Sequence, residues 1–68
     1  MSERELQVMM MITRGTNVQL IAESLHLSAK TVNSYRYRIF IKLKVKNDVE
    51  LTLLAIRYGI VDSEAVTV

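Results

Sequence analysis

Residues 17–43 read NVQLIAESLHLSAKTVNSYRYRIFIKL, and the spacing in this stretch decides the fold. Val18, Ile21, Ala22 and Leu25 recur at i, i+3, i+4 and i+7, the apolar stripe of an amphipathic helix. Asn17 stands just before that stripe as an N-cap, so a helix is predicted over about 17–25. His26-Leu27-Ser28 then breaks the periodicity, and Ser28 offers a second N-cap. A longer helix is predicted over 29–43, with Val32, Tyr35, Ile39, Phe40 and Leu43 on its buried face. Two helices joined by so short a turn form the helix-turn-helix pattern. The first helix braces the second across a shared apolar face. The second then turns its polar face to the major groove of DNA, which is wide enough to admit an α-helix. Ala22 is small where the helices must approach, and Leu27 is placed to plug the turn from below.

Working outward, Ser2 and Glu5 make a capping box for a helix over about 2–14. Leu6, Met9, Met10 and Thr13 follow at helical spacing, with Val8 and Ile12 widening the stripe. The three consecutive methionines, Met9 to Met11, read as core filler and helix formers. Gly15 stands where a left-handed C-cap residue is expected. On the other side, Lys44-Val45-Lys46 is a connector. Asn47 or Asp48 caps a fourth helix over about 48–58, which Gly59 ends. Residues 62–68 carry little periodicity and are expected to fray. The predicted fold is therefore all-α: four helices in one domain spanning 1–68.

Composition narrows the chemistry. The chain has 68 residues, no cysteine, and a single histidine, His26. Neither a thiolate site nor a histidine-based metal site can be assembled, and no cofactor is expected. His26 reads as a solvated turn residue. No nucleophile–histidine–acid set or paired-carboxylate pocket can be built, so an enzyme is not expected. No apolar run approaches the roughly 20 residues of a membrane span. The polar, acid-bearing start Met-Ser-Glu-Arg-Glu does not resemble a signal peptide, and the expected location is the cytoplasm.

Net charge is only +2, but its distribution is uneven. Between His26 and Asn47 stand Lys30, Arg36, Arg38, Lys42, Lys44 and Lys46, with no acid among them. All seven Asp and Glu residues lie outside that tract. A strongly positive element in an otherwise acidic chain points to a polyanion partner; a solvated basic helix face is the plainer alternative. The polar face of the third helix presents Lys30, Asn33, Ser34, Tyr37, Arg38 and Ile41. Asparagine can bond an adenine edge in two places, serine can donate or accept, and lysine can address guanine. Thr31, Arg36 and Lys42 lie on the flanks, suited to phosphates, which set register rather than sequence choice. Arg36 has Glu23 as an alternative partner. Tyr35 reads as core with its hydroxyl at a polar rim. Tyr37 either contacts DNA or lies over its own helix, and DNA is favoured. Lys44 and Lys46 contribute long-range electrostatics.

The fourth helix carries two apolar faces. Leu51, Leu54, Ala55 and Tyr58 lie on one, at core spacing. Val49, Leu53 and Ile56, with Thr52, lie on the other. A terminal helix in a small domain has one face to bury in its own core, so the second is expected to meet a partner. A two-fold axis there would set two reading helices into successive major grooves on inverted half-sites. Alternatively, Leu53 or Ile56 covers neighbouring core.

SERELQV at 2–8, IAESL at 21–25, LSAKTV at 27–32 and KL at 42–43 resemble the LuxR/GerE-type helix-turn-helix output domain. KTVNSYRYRIF at 30–40 and DVELTLLAIRYG at 48–59 are closer to the GacA/UvrY/LetA group of response regulators. The resemblance runs from about Ser2 to Val61. It implies a transcription-regulating domain of a two-component system that binds inverted-repeat double-stranded DNA as a homodimer through its fourth helix. By position it implies base contacts for Lys30, Asn33, Ser34 and Tyr37. Thr31, Arg36, Arg38 and Lys42 match positions near the DNA backbone, and Glu5 matches a structural acid. Val49, Thr52, Leu53 and Ile56 fall on the implied dimer surface.

Tyr35 stands where the broad family often has histidine, and Tyr37 where a small or basic residue is common. Ile41 replaces a usually polar residue. Asp48 stands where arginine is frequent, which argues against a phosphate contact there. The GacA-like group shares Tyr35, Tyr37 and Asp48, so these departures narrow the subgroup. The resemblance also implies a phosphorylated receiver domain before the output domain. These 68 residues leave no room for one, so an isolated output domain is expected. Two alternatives stand beside this reading: the DNA-binding domain of a quorum-sensing LuxR regulator, and a helical protein-interaction module.

Overall fold

A computed structural model describes residues 1–60; the expected fraying over 62–68 lies outside them. Four helices follow in order: α1 Glu3–Thr13, α2 Val18–Leu25, α3 Ala29–Leu43 and α4 Asp48–Arg57. Each starts within a residue of the position predicted from its cap. The caps explain why. Ser2 Oγ accepts from the Glu5 amide at 3.1 Å, and Glu5 Oε1 accepts in return from the Ser2 amide at 3.3 Å. Asn17 Oδ1 accepts from Leu20 N, and Ser28 Oγ from Thr31 N. At α4, Asn47 rather than Asp48 is the cap, its Oδ1 accepting from Glu50 N at 2.9 Å. A side-chain acceptor at each N-terminus satisfies an amide that the helix itself cannot.

All four helices stop in the same way. Leu27 N donates to Ala22 O at 2.8 Å while His26 N donates to Glu23 O, the paired bonds of a Schellman motif. Matching pairs close α1 at Gly15 and Thr16, α3 at Lys44 and Val45, and α4 at Gly59 and Ile60. Gly15 and Gly59 take the left-handed residue at φ 88° and 71°. His26 and Lys44 hold the same conformation at φ 56° and 57°. For a residue with a Cβ that costs about 1–2 kcal/mol. Two hydrogen bonds, worth about 0.5–1.5 kcal/mol each, offset it. Leu27 and Val45, the next residues, pack against the core and reinforce both turns.

The core gathers Val8, Met9 and Ile12 from α1, Ile21 and Ala22 from α2, Val32, Ile39 and Phe40 from α3, and Leu51 from α4. Val8, Ile21, Val32, Ile39 and Leu51 are fully inaccessible. Val18, Leu25, Leu27, Tyr35 and Leu43 pack around them, as their spacing predicts. α3 is the central element, packed against both α1 and α2, while α4 rests on α1.

Two expectations are corrected. The buried face of α1 is Glu5, Val8, Met9, Ile12 and Thr13, not the stripe through Leu6 and Met10. Leu6 is 43% exposed. Glu5 belongs to this face, its carboxylate buried against Lys42 of α3. Tyr58, expected on the core side of α4, is 72% exposed. It falls at the C-cap, one residue beyond the helix.

Candidate nucleic-acid interface

The buried stripe of α3 through Val32, Ile39 and Phe40 fixes which residues turn outward. Lys30, Ser34 and Tyr37 are exposed and Asn33 is half-buried, all four on one surface. Their polar atoms are not equally free. Ser34 Oγ donates to Lys30 O at 3.1 Å, so the hydroxyl keeps its lone pairs as acceptors. Asn33 Oδ1 accepts from Arg36 Nη1 at 3.1 Å. The Tyr37 ring meets Phe40 edge-on, with centroids 6.2 Å apart and planes at 78°. That contact anchors one edge of the tyrosine while 60% of the residue remains exposed. Ile41, one turn further, is 78% exposed.

The flanking residues divide into engaged and open. Ser28 Oγ donates to Thr31 Oγ1 at 3.0 Å, so the Thr31 hydroxyl keeps its own hydrogen to donate. Arg38 lies with its guanidinium carbon 5.8 Å from the Tyr35 ring centroid, a cation–π distance. Arg36 Nε is paired with Asp48 Oδ1 at 3.0 Å, not with Glu23. Lys42 Nζ sits 2.9 Å from both oxygens of Glu5. The Glu5 carboxyl is held at about 2, below its ordinary 4.5, by the Lys42 hydrogen bond first and the Ser2 hydroxyl second. Among the described residues, that leaves Lys30, Arg38, Lys44 and Lys46 as basic-tract cations without a carboxylate partner. The open positive charge therefore brackets the exposed stripe of α3 at both ends.

On α4, Val49 and Leu53 are 69% and 61% exposed, four residues apart on one face. Thr52 and Ile56 beside them are half-buried. Thr52 Oγ1 donates to Asp48 O at 2.8 Å. The structure thus brings together the two groups of residues singled out in the sequence: a polar stripe on α3 and an apolar stripe on α4. Among the described residues, no group of His, Cys, Asp or Glu is arranged to hold a metal ion. No helix there is long and apolar enough to cross a membrane.

Comparison with known proteins agrees with this architecture. Residues 1–55 match the GerE family, described as bacterial regulatory proteins of the luxR family. The chain belongs to that family. It is a LuxR-type DNA-binding helix-turn-helix domain, all-α with four helices, and its family is not enzymatic. It is 60% identical over 67 residues to the response regulator UvrY of Escherichia coli K12, covering 98% of this chain and 31% of that protein. It is 59% identical over 63 residues to the response regulator GacA of Pseudomonas protegens, covering 93% of this chain and 30% of the relative. GacA of Pseudomonas aeruginosa is 57% identical over 63 residues, again 93% of this chain and 29% of its own length. The LuxR-type domain thus spans about three-tenths of the length of these relatives. No solved structure gives a significant match.

Sequence reasoning placed the face but missed the links beneath it. The Arg36–Asp48 pair joins residues 12 positions apart and the Lys42–Glu5 pair residues 37 apart. Neither separation leaves a periodic trace. The Asn33–Arg36 bond spans three positions, a helical neighbour distance that the sequence did offer.

Proposed function

We propose that this domain is the transcription-regulating output domain of a two-component response regulator, binding inverted double-stranded DNA half-sites as a dimer. α3 enters the major groove. Lys30, Asn33, Ser34 and Tyr37 address base edges, while Thr31, Arg36, Arg38 and Lys42 lie toward phosphates. The observation that carries this reading is the outward, acid-free stripe through Lys30, Asn33, Ser34 and Tyr37 of α3, opposite the buried Val32, Ile39 and Phe40. The names of the relatives as response regulators, and the three-tenths of their length that the chain covers, support a phosphorylated receiver domain as its partner. Cytoplasmic location follows from the same reading.

The exposed Val49–Leu53 face supports pairing of two copies through α4. A two-fold axis there sets the reading helices about 34–36 Å apart, one turn of DNA. Arg36 and Lys42 keep N–H donors beyond those used in their ion pairs, so each can still reach a phosphate.

Selection of bound duplexes from a random pool, at two salt concentrations, tests the proposal. The expected product is a pair of inverted half-sites, with affinity falling steeply as salt rises, because phosphate neutralisation releases counterions. An unstructured pool, or binding indifferent to salt, would overturn it in favour of a protein-interaction module.

A further inference from the structure

Asn33, Arg36 and Asp48 form a connected path from the first turn of α4 to the outward stripe of α3. Arg36 Nε donates to Asp48 Oδ1 at 3.0 Å and Nη1 donates to Asn33 Oδ1 at 3.1 Å. The guanidinium carbon also lies 5.6 Å from the centroid of the Phe40 ring, whose residue is 93% buried. A carboxylate, an amide and an aromatic face therefore hold one planar cation. That cation is no loose surface group, since its side chain is only 27% exposed.

The arrangement dictates which way the Asn33 amide points. A guanidinium has donors and no acceptor, so only the carboxamide oxygen can face it. The NH2 group is left to meet DNA. An unconstrained asparagine reads adenine by accepting from N6 and donating to N7. Here one lone pair of the oxygen is already taken. The positive charge beside it also repels an approaching amino donor such as adenine N6. Guanine instead presents two acceptors, O6 and N7, on its major-groove edge. A donor-first side chain beside a fixed cation suits that edge.

We propose that Arg36, anchored by Asp48, is a positioning residue that turns the NH2 of Asn33 toward DNA, so that this position of the half-site selects guanine over adenine. The inference rests on the reading of Asn33 as a base contact. It also gives Asp48 a role: the acid at the start of α4 orients a reader on α3 through the arginine between them.

Four proteins test it on the selected duplex: the unaltered chain, Asn33→Ala, Arg36→Met and Asp48→Asn. Each is titrated against all four base pairs at every half-site position, with thermal unfolding followed in parallel. Asn33→Ala is expected to flatten preference at one position, and the unaltered chain to favour guanine there. Arg36→Met should lower guanine-over-adenine discrimination at that same position by about tenfold, leaving other positions as they were. Asp48→Asn, which keeps the size of the side chain and removes its charge, should move it in the same direction by less. If Arg36→Met weakens every duplex equally, or the unaltered chain favours adenine at that position, the positioning role is wrong while Asn33 remains a reader. If Asn33→Ala flattens no position, the base-contact reading falls and the inference with it. Should Arg36→Met unfold, Asp48→Asn decides by the same criterion.

Discussion

Two ion pairs draw on the basic tract of α3, and they serve different ends. Lys42 pairs with Glu5, whose side chain is 7% exposed, and ties the end of α3 to α1. Arg36 pairs with Asp48, whose side chain is 48% exposed, and touches Asn33 on the outward face of α3. In sequence both cations look alike: a basic residue on the flank of a polar helix face. Burial of the partner separates them. A buried carboxylate that loses its cation is left uncompensated, whereas an exposed one returns to water. The first pair is thus part of the scaffold, and the second acts on what the scaffold displays.

The largest effect on stability is expected from Lys42→Met, which strands the Glu5 carboxylate. The melting temperature should drop by several degrees, and any loss of DNA affinity should be uniform across duplexes. A loss confined to one operator position would contradict the scaffold role. Acid offers a route to the same pair. Because the folded carboxyl is held at about 2 against an ordinary 4.5, protons favour the unfolded chain below about 4.5. This contribution to stability is present above pH 4.5 and disappears as pH falls toward 2. Glu5→Gln should flatten that part of the stability profile. An unchanged profile would mean that Glu5 titrates freely in the fold.

Leu53→Asp probes the other side of α4 from Asp48. It should abolish cooperative binding to two half-sites while changing folding stability by no more than about 0.5 kcal/mol, as for a substitution away from the core. Cooperativity that survived would move the dimer surface elsewhere. Asp48→Asn should cost far less stability than Lys42→Met, because pairs this exposed contribute roughly 0.2–1 kcal/mol. A larger loss would make the second pair scaffold as well, and erase the contrast between the two.

Much of the fold was legible because its punctuation is local. Ser2, Asn17, Ser28 and Asn47 cap amides three residues ahead, and Gly15 and Gly59 mark two of the four stops. The other two stops were not visible as such, because His26 and Lys44 adopt the left-handed conformation only with the support of the turns around them. Glu5 shows a further limit. Its place in the capping box was readable, but its partner is a lysine 37 residues away, and it lies on the same buried face as Val8, Met9 and Ile12 while Leu6 faces out. The polar stripe of α3 followed from helical period alone. Its internal bonds did not, since Asp48 reaches Arg36 only after α4 has folded back toward α3.

The reading face itself is tested most directly by the affinity of the unaltered chain and of Asn33→Ala for the selected duplex and for a scrambled one, at a single salt concentration. Asn33→Ala is expected to weaken the selected duplex by roughly 1–3 kcal/mol and leave the scrambled duplex unchanged, with the same melting temperature. Equal affinities of the two proteins for the selected duplex would contradict the assignment of α3 as the helix that reads bases through Asn33.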